Sequence, residues 1–276
     1  MTQIADQLPE PTIDFLPYDF DFLKHRKWHL LAESMIECDL RELTNTVNHW
    51  HDSLKRWHAW NIVISKHNED DAWVLRREFL EALAHECLLR PSSVRDMLTA
   101  VATSALHQVR LTLEHGYPDM LEGDPATPNG RGKHLTRRKK ESRLASIASV
   151  WAEAKPFLEA IRKLDDSAYR SQTLDYRNLN SHAIGPRLGI GHTRTVTRLV
   201  VQATKLTEIG EGRFKEVAIP NKMTVSYGFG GTPPLNLEEA RRINVQQFSS
   251  ARSCYLLYRK LLEKVANDIP RANGDA

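Results

Sequence analysis

A single stripe of large apolar side chains constrains this chain most. Ile36, Leu40, Leu43, Val47, Trp50, Leu54, Trp57 and Ile64 recur at steps of four and three, with one polar gap at Asn61. That spacing keeps all of them on one side of a helix, so the segment predicts a long helix whose seam is buried against other helices. Trp73 to Leu89 reads as a second helix with Phe79, Leu80, Leu83 and Cys87 inward. Pro91 is expected to end it, and Ser92 or Ser93 to cap a third helix through Val94, Leu98, Val101, Ala105 and Val109. Gly116 to Lys133 is too rich in Gly, Pro, Asp and Asn for a helix and reads as a loop. A fourth helix is expected from about Thr136 through Leu144, Ile147, Trp151, Phe157 and Ile161, and a fifth, capped by Asp166 or Ser167, ending near His182.

The period then changes. Thr193 to Thr204 and Lys222 to Tyr227 are rich in β-branched residues, and Gly210 and Gly212 lie between them, which predicts an antiparallel hairpin or a three-stranded sheet. Asn236 with Glu239 forms a capping box for a last helix carrying Phe248, Ala251, Tyr255, Tyr258, Leu262 and Val265. The expected fold class is mainly α, a helical bundle with a small antiparallel β-hairpin or sheet inserted at about residues 193–228, before the last helix. The expected organisation is an acidic N-terminal tail or strap over residues 1–23, additional N-terminal helices over 24–90, a helical domain over 91–268 and a flexible tail over 269–276.

Charge is distributed unevenly beneath a formal net value of +3 over 276 residues. Met1 to Leu23 carries five acids and no base, whereas Arg131 to Arg143 carries seven bases against one acid and Ser167 to Lys205 six against one. A polyanion would meet those two basic segments and be repelled elsewhere, which is how many nucleic-acid sites are built. Arg137, Arg138, Lys139 and Lys140 from the first segment, and Arg170, Arg187, His192 and Arg194 from the second, are the candidate RNA contacts. No stretch approaches the roughly 18 apolar residues of a membrane helix, and the N-terminus lacks the charge and hydropathy pattern of a secretion signal, so a cytoplasmic protein without a membrane partner is expected. Cys38, Cys87 and Cys254 lie far apart and read as reduced, semi-buried thiols. His49, His51 and His58 flank the tryptophan seam without a carboxylate or thiol at helical spacing to complete a metal site. The glycine-loop, nucleophile-elbow and zinc-protease motifs are missing from the sequence. Neither a metal nor a cofactor is expected.

The informative stretch is Asp175-Tyr176-Arg177-Asn178-Leu179-Asn180-Ser181-His182, followed by Gly185-Pro186. On a continuous helix Arg177 and His182 would point about 140° apart, so the helix is expected to end or turn near Ser181 if both are to aim at one phosphate. An imidazole that moves a proton near neutral pH and a guanidinium that clamps phosphoryl oxygens suit metal-free phosphodiester cleavage. The pattern Arg-x4-His occurs three times, at Arg110/His115, Arg177/His182 and Arg187/His192, and only the second has an amide directly after the arginine at a predicted helix end.

On those residues the chain resembles the HEPN superfamily of helical-bundle ribonucleases, whose motif is an arginine, a polar residue and a histidine four to six positions on. Tyr227-Gly228-Phe229-Gly230-Gly231-Thr232-Pro233-Pro234-Leu235 is similar to a subfamily of uncharacterised bacterial HEPN proteins. The resemblance spans about Ser92 to Asp268. It implies a homodimer whose two motifs face each other and a metal-independent endoribonuclease with Arg177, Asn178 and His182 as catalytic residues. The implied products are a 2′,3′-cyclic phosphate and a 5′-hydroxyl, and the implied biological role is a toxin, with an antitoxin protein as a possible partner, or an anti-phage effector. The alternative is a non-catalytic HEPN-like module that binds RNA, a nucleotide or a partner protein.

Overall fold

The apolar stripe builds α1 (Ala32–Ile64), and each of its eight stripe residues is buried, Trp50 and Trp57 completely. The computed structural model describes residues 14–272. Ahead of α1, the strap from Asp14 lies on it. Leu16 donates its amide to Asn48 Oδ1 at 2.8 Å and accepts from Asn48 Nδ2 at 3.0 Å, while Leu16, Phe20 and Leu23 are buried. The remainder of the acidic tail falls outside the described residues. Asn68 then caps α2 (Glu69–Leu75), accepting from the Asp71 amide, with Glu69, Asp70 and Asp71 in the favourable first turn.

The expected break at Pro91 does not occur. A π-helical turn (Arg76–Leu80) leads into α3 (Glu81–Leu113), which runs through Pro91 without interruption, so no boundary falls between residues 90 and 91. Proline has no N–H and deprives the carbonyl four residues earlier, that of Cys87, of its helical partner. That carbonyl is met from outside: Asn244 Nδ2, on the last helix, donates to Cys87 O at 2.8 Å. Asn244 Oδ1 accepts from Trp50 Nε1 at 2.8 Å, Asn244 Nδ2 also lies 3.2 Å from Tyr169 Oη, and Tyr169 donates to the neighbouring Leu88 carbonyl at 3.0 Å. Asn244 is wholly buried. The π-helical turn also changes the phase of the seam: Leu80, Ala84, Cys87 and Leu88 point inward, while Phe79, expected in the core, is exposed and stacks on Trp60 at 4.6 Å.

The expected fourth helix is two. Thr136 caps α4 (Arg137–Ala148), and after a turn α5 (Ala154–Ile161) begins so that Pro156 falls in its first turn, where a missing N–H costs nothing. Asp166 caps α6 (Ser167–Gln172), accepting from the Tyr169 amide at 2.8 Å. Leu174 and Asp175 follow with φ of 51° each, which stops α6 and starts α7 (Tyr176–His182). The last helix, α8 (Leu237–Asn267), starts at Asn236, whose Oδ1 accepts from the amides of Glu238 and Glu239 at 3.0 Å, and it buries all six residues expected of it. The segment after it is not a free tail in its described part: Ile269 is buried, Pro270 O accepts from the Lys27 amide at 2.8 Å and the Ala272 amide donates to His25 O at 2.9 Å.

Chain contacts divide the protein into two units, one of residues 1–169 and 241–276 and one of residues 170–240. The second contains α7 and a two-stranded antiparallel sheet, β1 (Val196–Gly210) and β2 (Arg213–Phe229), longer than the composition indicated. Glu211 and Gly212 join the strands with φ of 51° and 70°, the positive pair that a two-residue hairpin turn requires. The register passes from Gln202 opposite Met223 to Thr204 opposite Ala218, so residues 219–222 bulge across from Ala203.

Two outcomes follow. Asn244→Leu leaves the Trp50 N–H and the Cys87 carbonyl unmet, at about 1–3 kcal/mol each, and Pro91→Ala supplies an N–H for that carbonyl. Urea denaturation should therefore show the double variant less destabilised than the sum of the two singles; strict additivity would contradict the assignment. Burial pushes the Cys87 thiol up to about 12, with the Glu86 charge adding to it, and burial does the same to Cys254, whereas Cys38 is exposed. At pH 8 an alkylating reagent should modify Cys38 in the folded protein and reach the other two only after denaturation, as counted by intact mass.

Candidate functional site

The helix that carries the predicted motif is short and begins on a left-handed aspartate. Asp175, with φ of 51° and ψ of 36°, turns the chain so that its main-chain carbonyl accepts from the Leu179 amide at 3.0 Å. Its side chain reaches the same turn: Asn178 Nδ2 donates to Asp175 Oδ1 at 2.7 Å, and Arg177 Nη1 donates to Asn178 Oδ1 at 2.8 Å. A carboxylate thus orients an amide, and the amide holds one of the five donors of a half-buried guanidinium. Asp175 is the member of this chain of contacts that the motif alone did not assign, although its i, i+3 spacing to Asn178 signals it.

His182 lies at the far end of the same helix. The expected turn near Ser181 is absent, because α7 continues through His182 and ends at Ala183, whose amide donates to Leu179 O at 2.8 Å. Five helical steps separate Arg177 from His182, so the two side chains leave one helix about 140° apart. The His182 side chain is exposed and forms no hydrogen bond with another described residue. Beyond it the backbone folds back over Asn180, whose Nδ2 donates to Tyr176 O at 3.0 Å. A side chain at Gly185 would collide with that amide.

The loop after the motif is stitched to the glycine-rich segment that follows the hairpin. Leu235 N donates to Arg187 O and Gly189 N to Leu235 O, both at 2.8 Å, and Thr193 and Thr232 exchange backbone bonds at 3.1 and 2.7 Å. His192 packs against Gly231, where a Cβ would come within 3.3 Å of it, and Arg187 lies against Gly191, whose φ is +93°. The two segments singled out in the sequence are therefore adjacent, and Arg187, His192 and Arg194 are exposed on their loop. Arg170 is half-buried, and its main-chain carbonyl accepts from the Asp175 amide at 2.7 Å.

Arg137 leaves the predicted RNA-binding set. Its Nε and Nη2 donate to the Asp96 carboxylate at 2.8 and 3.0 Å, Nη1 pairs with Asp165 at 2.5 Å and Nη2 donates to Ser92 Oγ at 2.6 Å. Burial opposes its charge, but the bonds to Asp96 and Asp165 prevail and hold its pKa above the ordinary arginine value. Asp165 is only 2% exposed, and its amide donates to Gln247 Oε1 at 2.9 Å. Beside this group, Arg95 donates to Glu141 at 2.7 Å and to Leu164 O at 2.6 Å. Arg138 and Lys139 are exposed and Lys140 is half-exposed on α4. Arg110 is likewise occupied, bonding bidentately to Glu114 at 2.7 and 2.6 Å over the Tyr117 ring. Among the three histidines near the seam, His49 pairs with Glu86 at 2.9 Å and buried His51 stacks on Phe248, and among the described residues no three metal-ligating side chains cluster.

Comparison with protein-family models, with curated proteins and with solved structures returns no match to this chain.

Arg137→Ala would take the ion pair and hydrogen bond of Arg137 from buried Asp165 and should cost about 3–5 kcal/mol of unfolding free energy. Arg138→Ala, one residue on but exposed, should stay within about 0.5 kcal/mol. Chemical denaturation of both variants checks the contrast.

Proposed function

We propose that this protein is a metal-independent endoribonuclease acting through Arg177, Asn178 and His182, a HEPN-like enzyme of the toxin or anti-phage type. The observation that carries the reading is the Asp175–Asn178–Arg177 chain: one short helix presents a guanidinium oriented from behind and terminates on an exposed imidazole that no other described residue engages. The six-to-one excess of bases over acids from Ser167 to Lys205 supports a phosphate-bearing substrate.

In this reading His182 takes the proton of a ribose 2′-hydroxyl as that oxygen attacks the adjacent phosphorus. The new O2′–P bond forms as the P–O5′ bond breaks, and a second imidazole gives a proton to the departing 5′ oxygen. Arg177 stabilises the charge that builds on the phosphoryl oxygens. The divergence of Arg177 and His182 on one helix supports a homodimer, in which two copies supply both groups to one phosphate from opposing helices. The products are a 2′,3′-cyclic phosphate and a 5′-hydroxyl, and DNA, which lacks the nucleophile, is inert. An antitoxin protein is the further partner this role calls for.

The same divergence favours one other reading, a module that binds RNA, a nucleotide or a partner protein without cutting. Incubation of the purified protein with total RNA in EDTA separates the two. Cleavage with cyclic-phosphate ends is expected, and His182→Ala should lower its rate by about 10²-fold to 10⁴-fold while RNA retention on a filter is unchanged. RNA held but uncut by the wild-type protein selects the binding module, and equal cleavage by wild type and variant removes His182 from the mechanism.

A further inference from the structure

We propose that the β1–β2 hairpin is an association arm that stacks face to face on the hairpin of a second copy of this chain. The inference rests on the hairpin alone and is independent of the catalytic reading. A two-stranded ribbon is at best marginal in water unless a third strand or another surface covers it. This one is long and exposes apolar side chains from base to tip: Phe229 is 96% exposed, Tyr227 71%, Leu206 68% and Phe214 61%.

The pairing register assigns these residues to faces, because side chains alternate along a strand and directly opposed residues share a face. On one face the base holds Val196 opposite Phe229 and Arg198 opposite Tyr227. On the same face the tip holds Leu206 opposite Glu216 and Glu208 opposite Phe214. A cation with aromatics thus lies at one end and carboxylates with an aromatic at the other, equally spaced about the Gln202–Met223 pair.

That pattern is complementary to itself. Two such faces stacked head to tail about a two-fold axis through the Gln202–Met223 pair bring Phe229 of each copy onto Phe214 of the other and Arg198 within reach of Glu216, an isologous and closed contact. Within the chain neither Arg198 nor Glu216 forms an ion pair with another described residue. A polyanion is the poorer occupant, since Glu208 and Glu216 stand on the face it would cover. The ribbon, about 40 Å long at 3.3 Å per residue, buries about 1,000 Å² in total when doubled, the scale at which a specific interface begins.

Sedimentation velocity on the full chain tests the arm. The wild-type protein should sediment at twice its 31.6 kDa in a concentration-dependent manner. Arg198→Glu and Glu216→Arg should each weaken association by about tenfold or more, and the double charge swap should recover most of it. Phe229→Asn should also favour the monomer. A wild-type chain that stays monomeric, a dimer that neither reversal weakens, or a swap no better than its singles overturns the proposal. So does loss of RNA retention in Arg198→Glu with unchanged mass, which would make the face a nucleic-acid platform.

Discussion

The helical unit turns on one buried amide. Pro91 sits inside a 33-residue helix, and the helix survives because Asn244 supplies the donor that Cys87 O loses. The same amide accepts a hydrogen bond from Trp50 Nε1 and lies beside the hydroxyl of Tyr169, so α1, α3, α6 and α8 are tied through a single residue. Burial pushes the Tyr169 phenol well above its usual pKa, and its hydroxyl donates to Leu88 O. Unmet buried polar groups are costly, so this cluster specifies one arrangement of helices where apolar packing alone would tolerate several.

Arg137 does comparable work nearby. It links α3 to α4 and to the turn before α6, meeting a carboxylate on each side. A guanidinium so engaged has its donors committed within the fold. Basic residues of one cluster thereby divide into a half-buried tie and a set of more open neighbours, with Arg131, Lys133, Arg138 and Lys139 exposed and Lys140 half-exposed.

The candidate site follows a different logic, that of a short helix between chain reversals. Two left-handed residues precede it and Gly185 comes three positions after it, and of its seven residues only Tyr176 is buried. Motif spacing made the participants visible, since Arg177, Asn178 and His182 stand together in the sequence. Their mutual orientation was not legible, because whether α7 stops at Ser181 or continues to His182 depends on hydrogen bonds such as that from Ala183 to Leu179 O. The engagement of Asp175 was half-visible at i, i+3, and the packing of His192 on Gly231 was not visible at all, since it joins residues on either side of the hairpin.

By itself the sequence determined what periodicity and turn chemistry encode: the α1 seam, the core of α8, the loop after α3 and the hairpin with its glycine turn. These are local, because a side chain's face is set by its own step along the helix or strand. Only the tertiary structure decided the continuity of α3, the exposure of Phe79 and the fate of Arg137. Each hinges on a partner brought from elsewhere in the chain or on a helical phase that one wide turn resets, and no window of neighbouring residues contains that partner.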